Sequence, residues 1–152
     1  FARFMVLGEN RRWQVEEQFN SGESNSKIVG ATIIELDGKP EPEIALVDTG
    51  VKKLRVLHRV DGIYTQWKEI DLGDFPFKSL KVADFNGDHR NDLLLFGTDK
   101  FAVLYAGASA PALKEVASFE SQLEKIYPTD VVAGDLNGDG KIDLALTDTR
   151  SH

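Results

Sequence analysis

Cysteine is absent from the 152 residues, and with it go disulfide bridges, thiol nucleophiles and cysteine-ligated zinc. Long apolar runs are absent as well. No segment approaches the roughly 18 residues that a membrane-spanning helix needs. Basic residues are outnumbered, 18 Lys and Arg against 25 Asp and Glu, for a formal charge of −7. With an isoelectric point near 4.9, that balance argues against nucleic acid or an anionic membrane surface as partner. The opening FARFMVLGEN has neither an h-region of useful length nor a cleavage site. A mature chain would show the same, so secretion stays open. Helical periodicity is nowhere sustained; Ser118 to Ile126 has room for a turn or two, and otherwise reads as a loop. Nothing resembles a nucleophile elbow, and His58, His89 and His152 stand alone in the sequence, as structural or solvated histidines do. The closing Arg150-Ser151-His152 reads as a vector-derived scar and is left out of fold reasoning.

What is present is a 41% hydrophobic share, enough for a core, and an internal repeat. Lys81-Val-Ala-Asp-Phe-Asn-Gly-Asp, followed by Asp92-Leu-Leu-Leu, matches Val131-Val-Ala-Gly-Asp-Leu-Asn-Gly-Asp followed by Asp143-Leu-Ala-Leu. Asp84 and Asp135 lie 51 positions apart. A step back of 49 residues reaches a third, degenerate copy, in which Glu35, Asp37 and Glu43 hold the places of Asp84, Asn86 and Asp92. A period of about 50 residues points to a solenoid, propeller or array. Within each unit, short aliphatic runs (VGATII, EIALV, LKVA, DLLLF, DVVA) alternate with Gly/Asp/Asn turns, a strand pattern. Further runs (LRVLHRV, YTQWKEI, FAVLYAG, LKEVASF) bring the count to four strands per unit. The N-terminal RFMVLGE and WQVEEQF read as strands three and four of a unit. The C-terminal DVVAGD and KIDLALTD read as strands one and two of another.

The repeats carry the chemistry. Three carboxylates within nine residues repel one another and resist burial. In D-x-N-x-D-x-x-x-D, side chains at positions 1, 3, 5 and 9 are expected to turn toward one centre, and position 7 offers its carbonyl. These are the hard oxygen donors that Ca²⁺ prefers. An EF-hand would need a carboxylate at position 12, where this chain has Leu95 and Leu146, and helices on both flanks, where it has strand-like runs. The competing reading is an Asx-rich hairpin that binds nothing. Two copies in register weigh against it. In the third copy Lys39 takes position 5, so an internal Lys39–carboxylate pair replaces metal, and Pro40 and Pro42 stiffen the loop.

VADFNGDHRNDLLLF and VVAGDLNGDGKIDLALTD resemble the FG-GAP/VCBS repeats of bacterial exported proteins and, more distantly, the integrin alpha-chain propeller. The resemblance covers about residues 28 to 149. It implies an all-β β-propeller fragment of about three four-stranded blades, with calcium loops in the strand 1–2 hairpins. The first ligand set it implies is Asp84, Asn86, Asp88, Arg90 (carbonyl) and Asp92. The second is Asp135, Asn137, Asp139, Lys141 (carbonyl) and Asp143. His89 stands where the loop usually has glycine, and FGT, TDT and VDT replace the Gly-Ala-Pro of the integrin type. The units then run 1–26 (partial), 27–76, 77–128 and 129–149 (partial).

The expected role is a non-catalytic, calcium-stabilised binding module with two Ca²⁺ ions, outside a bacterial cell or in its periplasm. Its ligand is expected to be a protein first and a glycan second, with an accessory domain of a secreted enzyme as the rival class. A glycosidase-type carboxylate pair is the enzymatic reading, disfavoured by the repeat register. Arg11-Arg12-Trp13 and Trp67 offer sugar or protein contacts, or simple packing. The complementary half-units at the two ends predict a head-to-tail dimer that closes a six-bladed ring.

Overall fold

The computed structural model describes residues 1–98, 100–107, 114–118 and 128–149. Twelve strands and no helix make up these residues. In order they are β1 (Ala2–Leu7), β2 (Trp13–Phe19), β3 (Ile28–Ile34), β4 (Glu43–Asp48), β5 (Lys53–Val60), β6 (Ile63–Asp71), β7 (Phe77–Ala83), β8 (Asp92–Gly97), β9 (Lys100–Leu104), β10 (Lys114–Ser118), β11 (Pro128–Gly134) and β12 (Asp143–Asp148). The segment after Ser118 that has room for a helical turn, and the closing Arg150-Ser151-His152, lie outside the described residues.

The fold is all-β, built as four antiparallel sheets. β1–β2 form a two-stranded sheet, β3–β4–β5–β6 and β7–β8–β9–β10 four-stranded meanders, and β11–β12 a second two-stranded sheet. The turns follow from local chemistry. Between β5 and β6 the chain reverses through Asp61 (φ 51°) and Gly62 (φ 84°), with Val60 opposite Ile63. Two consecutive positive φ values define a type I′ turn, which Asp-Gly adopts at least cost.

The sheets stack face to face through three apolar layers. Ile44, Leu46 and Leu57 meet Ala2, Phe4 and Phe19 of the first sheet. Ala45, Val47, Leu54, Val56 and Ile70 meet Leu93, Leu95 and Leu104 of the third. Leu94, Phe96, Phe101 and Val103 meet Val131 and Leu144 of the last. β7 lies beside β3 on one side and β11 on the other, while β2 approaches β6. Strands β4 and β8 are therefore covered on both faces, and every residue in each is buried. That is why their sequences read as continuous aliphatic runs rather than alternating ones.

One buried position departs from the apolar rule. Arg55 on β5 is 1% exposed and is held by carboxylates. Its Nε donates to Asp48 Oδ2 at 3.2 Å, and its Nη1 to Gln66 Oε1 at 2.9 Å and Glu69 Oε1 at 2.5 Å. Asp48, itself fully buried, also accepts from Ser26 Oγ and the Lys27 amide, each at 2.7 Å. Arg55 Nη2 makes no hydrogen bond but lies 3.1 Å from Glu23 Oε1, so the buried guanidinium is offset mainly by surrounding carboxylates.

Candidate functional site

Each acidic loop joins the first strand of a sheet to the second: 84–92 between β7 and β8, 135–143 between β11 and β12. The 35–43 loop does the same between β3 and β4. The carboxylate at position 9 begins the second strand and reaches back to the amide at position 2. Glu43 Oε2 accepts from Leu36 at 2.6 Å, Asp92 Oδ2 from Phe85 at 3.0 Å and Asp143 Oδ2 from Leu136 at 3.1 Å. This staple is common to all three loops, including the one with Lys39.

The remaining side chains fold onto the loop's own amides. Asp84 Oδ1 accepts from Gly87 at 2.7 Å and Oδ2 from His89 at 2.8 Å. Asp135 repeats this with Gly138 at 2.6 Å and Gly140 at 2.9 Å. Asn86 and Asn137 accept from the Asp88 and Asp139 amides, and those two aspartates accept from Arg90 and Lys141, all at 2.9 Å. In the two intact loops the curl has positive φ at two positions. Gly138 and Gly140 supply it in the last loop, but in the earlier one only Gly87 is glycine, and His89 takes φ 67°. A β-carbon in that region is strained, the local cost of a histidine where the sister loop has glycine.

The electrostatics separate the carboxylates. The Gly140 and Gly138 amides hold the Asp135 carboxyl below its ordinary range. Desolvation pushes Asp84 up, but the amides of His89, Gly87, Asn86 and Asp88 together outweigh it and leave its pKa lowered. Asp92 goes the other way. Burial raises it against the opposing Ala106 and Phe85 amides, and the charges of Asp88 and Asp84 raise it further. In the degenerate loop Lys39 Nζ lies 2.9 Å from Asp37 Oδ2. That contact lowers the Asp37 pKa and raises that of Lys39.

The structure thus brings each set of five positions into one small loop. Among the described residues no group of three or more His, Asp or Glu side chains converges as a cage; the carboxylates lie on amides instead. The donor set nevertheless suits a hard cation. Every candidate donor is oxygen, Asp84 Oδ2, Asp135 Oδ2 and Asp143 Oδ2 each keep a second lone pair after accepting one amide, and Asp92 is a fully buried carboxylate repelled by its neighbours.

Two features were not legible in the sequence. Asp92 Oδ1 accepts from the Ala106 amide at 2.8 Å, a donor 14 residues downstream that no local motif marks. The Arg55 cluster joins residues from Glu23 to Glu69, scattered over three elements and a linker. Of the aromatic candidates, Trp67 stacks on His58 with centroids 5.5 Å apart and packs against the core. Trp13 is largely exposed. No helix among the described residues is long and apolar enough to cross a membrane.

Residues 84–146 match the FG-GAP-like repeat family. The matched stretch is an FG-GAP-like repeat. It starts on the first carboxylate of one intact loop and ends beyond the last carboxylate of the other. No curated protein matches the chain.

Proposed function

We infer that the chain is a propeller-type interaction module whose two intact loops hold structural Ca²⁺. The observation that carries the reading is the coincidence of the FG-GAP-like match with both acidic loops, each at the same place in its antiparallel sheet. In this reading the four sheets are blades or parts of blades, and the first strands of three of them, β3, β7 and β11, lie side by side. Asp84, Asn86, Asp88, Asp92 and the Arg90 carbonyl would hold one ion. Asp135, Asn137, Asp139, Asp143 and the Lys141 carbonyl would hold the other. Bound calcium neutralises carboxylates that otherwise repel and locks the loop that starts the second strand. The loop's own residues do the rest: the position-9 staple sets the turn, and the inward amides orient the first aspartate.

The module is read as non-catalytic, since its carboxylates are spent on loop amides rather than facing each other across a cleft. Its work is adhesion or interaction with a protein, or secondarily a glycan, at a bacterial surface or in the periplasm. Titration calorimetry tests the metal. Two equivalents of Ca²⁺ are expected, with Kd on the order of 10⁻⁶–10⁻³ M, and zero or three equivalents would overturn the assignment. At a hundredfold excess over Kd the ion should stabilise the fold by about 2.7 kcal/mol per site. Lys39→Ala should leave that response unchanged. A glycan array separates the two ligand classes.

A further inference from the structure

Six asparagines stand in the chain, and only two of them, Asn86 and Asn137, precede a glycine. Both sit at position 3 of an intact acidic loop, exposed to solvent together with the glycine that follows. A β-carbon on Gly87 or Gly138 would meet no atom within 4 Å, so the space beside each glycine is open. A backbone nitrogen flanked by no β-carbon approaches a carbonyl closely, and the preceding asparagine offers one in its own side chain. Attack there closes a five-membered ring, and an intramolecular attack of this kind carries a large effective concentration.

The loop holds all three groups of that reaction. In the last loop the Gly138 N–H donates to Asp135 Oδ1 at 2.6 Å, which polarises the attacking nitrogen. The Asn137 side-chain oxygen accepts the Asp139 amide at 2.9 Å, a donor placed where negative charge develops in the tetrahedral intermediate. The leaving nitrogen, Asn137 Nδ2, lies 3.4 Å from Asp139 Oδ2. The 84–92 loop repeats the set: Gly87 on Asp84 Oδ1 at 2.7 Å, the Asp88 amide on Asn86 Oδ1 at 2.9 Å and Asn86 Nδ2 on Asp88 Oδ2 at 3.0 Å. Two differences rank the loops. Asn86 is anchored at 3.0 Å, whereas 3.4 Å is beyond the ordinary N–H···O range, so Asn137 turns onto its glycine more freely. The Asp88 amide is also shared with Asp84 Oδ1 at 3.2 Å, which weakens its hold on the Asn86 oxygen.

The geometry points to Asn137, and after it Asn86, as sites of spontaneous covalent modification. The Gly138 nitrogen bonds to Asn137 Cγ and gives its proton to water. Nδ2 takes a proton from water and leaves as ammonia, and the product is a succinimide. Water then opens the ring. Cleavage of the new N–Cγ bond leaves aspartate; cleavage of the original peptide bond leaves isoaspartate, its backbone routed through Cβ. The net change is one water consumed, one ammonia released and one negative charge gained. Isoaspartate adds a C–C bond of about 1.5 Å to the backbone, between Asp135 and the Gly138 and Gly140 amides that it accepts at 2.6 and 2.9 Å. The loop cannot keep both bonds, so the event disables it irreversibly. The reaction needs no metal and stands or falls separately from the calcium reading.

Prolonged incubation in EDTA at mildly alkaline pH, followed by peptide mapping for isoaspartate, tests this. Asn137 and Asn86 should convert, Asn137 roughly threefold faster, while Asn10, Asn20, Asn25 and Asn91 stay intact. In urea the two rates should become equal, because the folded loop sets the order. Isoelectric focusing should show two successive acidic steps. Asn137→Gln, which would have to close a six-membered ring, should remove the faster step and leave the strand signal in circular dichroism unchanged. Neither site converting, Asn86 converting first or at the same rate in the folded chain, another asparagine converting as fast, or a rate difference that survives in urea would each overturn the proposal.

Discussion

Strands β8 and β12 begin alike, Asp-Leu-Leu-Leu and Asp-Leu-Ala-Leu, each directly after an acidic loop, yet their surroundings differ entirely. All six residues of β8 are buried, while β12 runs from half-buried Asp143 and Leu144 to exposed Ala145, Leu146 and Thr147. The difference lies in the neighbours. Among the described residues β8 has β7 and β9 at its edges and a sheet on each face, whereas β12 has β11 and one sheet. The comparison teaches that an aliphatic run identifies a strand meant for burial, and that burial itself is conferred by what packs around it.

A second contrast separates the two complete sheets. Where the second sheet has Asp48 and Arg55, the third has Gly97 and Ala102. One sheet spends buried charge at the position where the other is apolar. The largest expected effect tests this: Asp48→Ala should destabilise by about 3–5 kcal/mol, because it leaves the Arg55 Nε, the Ser26 hydroxyl and the Lys27 amide buried without their acceptor, although Gln66 and Glu69 keep the rest of the guanidinium. Asp48→Ala combined with Arg55→Leu should cost less than Asp48→Ala alone. Urea denaturation of the three proteins decides it, and an additive double variant would break the comparison.

The contrast between β8 and β12 comes next in size. Leu95→Ala empties a packed site and should cost about 2–5 kcal/mol. Leu146→Ala, its counterpart, should cost about 1 kcal/mol or less in the monomeric chain. Equal costs by denaturant midpoint would mean that β12 is already covered.

The two intact loops give the smaller tests. His89→Gly should stabilise by about 1 kcal/mol, since it relieves a β-carbon at positive φ, whereas Gly140→Ala should do the reverse. Thermal melting of the pair in EDTA keeps metal out of the result.

The smallest effect is in the acid limb of stability. Asp135 has a folded pKa below its unfolded value of about 3.9, so its contribution is present above that value and lost as pH falls through the lowered one. Asp84 acts with the same sign. Asp92, whose pKa is raised, acts oppositely: its contribution exists only below the unfolded value and disappears as pH rises through the folded one. Asp135→Asn should therefore make the loss of stability below about pH 4 shallower, as measured by denaturation at stepped pH. An unchanged slope would show that the loop amides do not hold that carboxylate in solution.

Much was legible because it is local. Period-two and fully aliphatic runs bounded by Gly, Asn and Asp mark strands, and each run named from sequence overlaps one, although FAVLYAG runs past the end of β9 at Leu104 and RFMVLGE past that of β1 at Leu7. Loop chemistry was legible for the same reason: position-9 carboxylates, Asx turns and the Lys39–Asp37 pair all act within nine residues. Arg55 was not legible, since LRVLHRV reads as an ordinary strand. Its partners Glu23, Asp48, Gln66 and Glu69 are near one another only after three strands and a linker have folded. Nor was it legible that the loop carboxylates accept from the loop's own backbone amides, since that follows from how tightly the turn is wound.

By itself the sequence determined the strands, their all-β class, the repeat and the place of each acidic loop, since these depend on propensity, turn chemistry and spacing along the chain. Only the tertiary structure decided which aliphatic strands are buried, which carboxylate is raised and which are lowered, and where a buried arginine finds its partners. Those outcomes depend on desolvation and on contacts between sheets, and neither exists until the sheets have stacked.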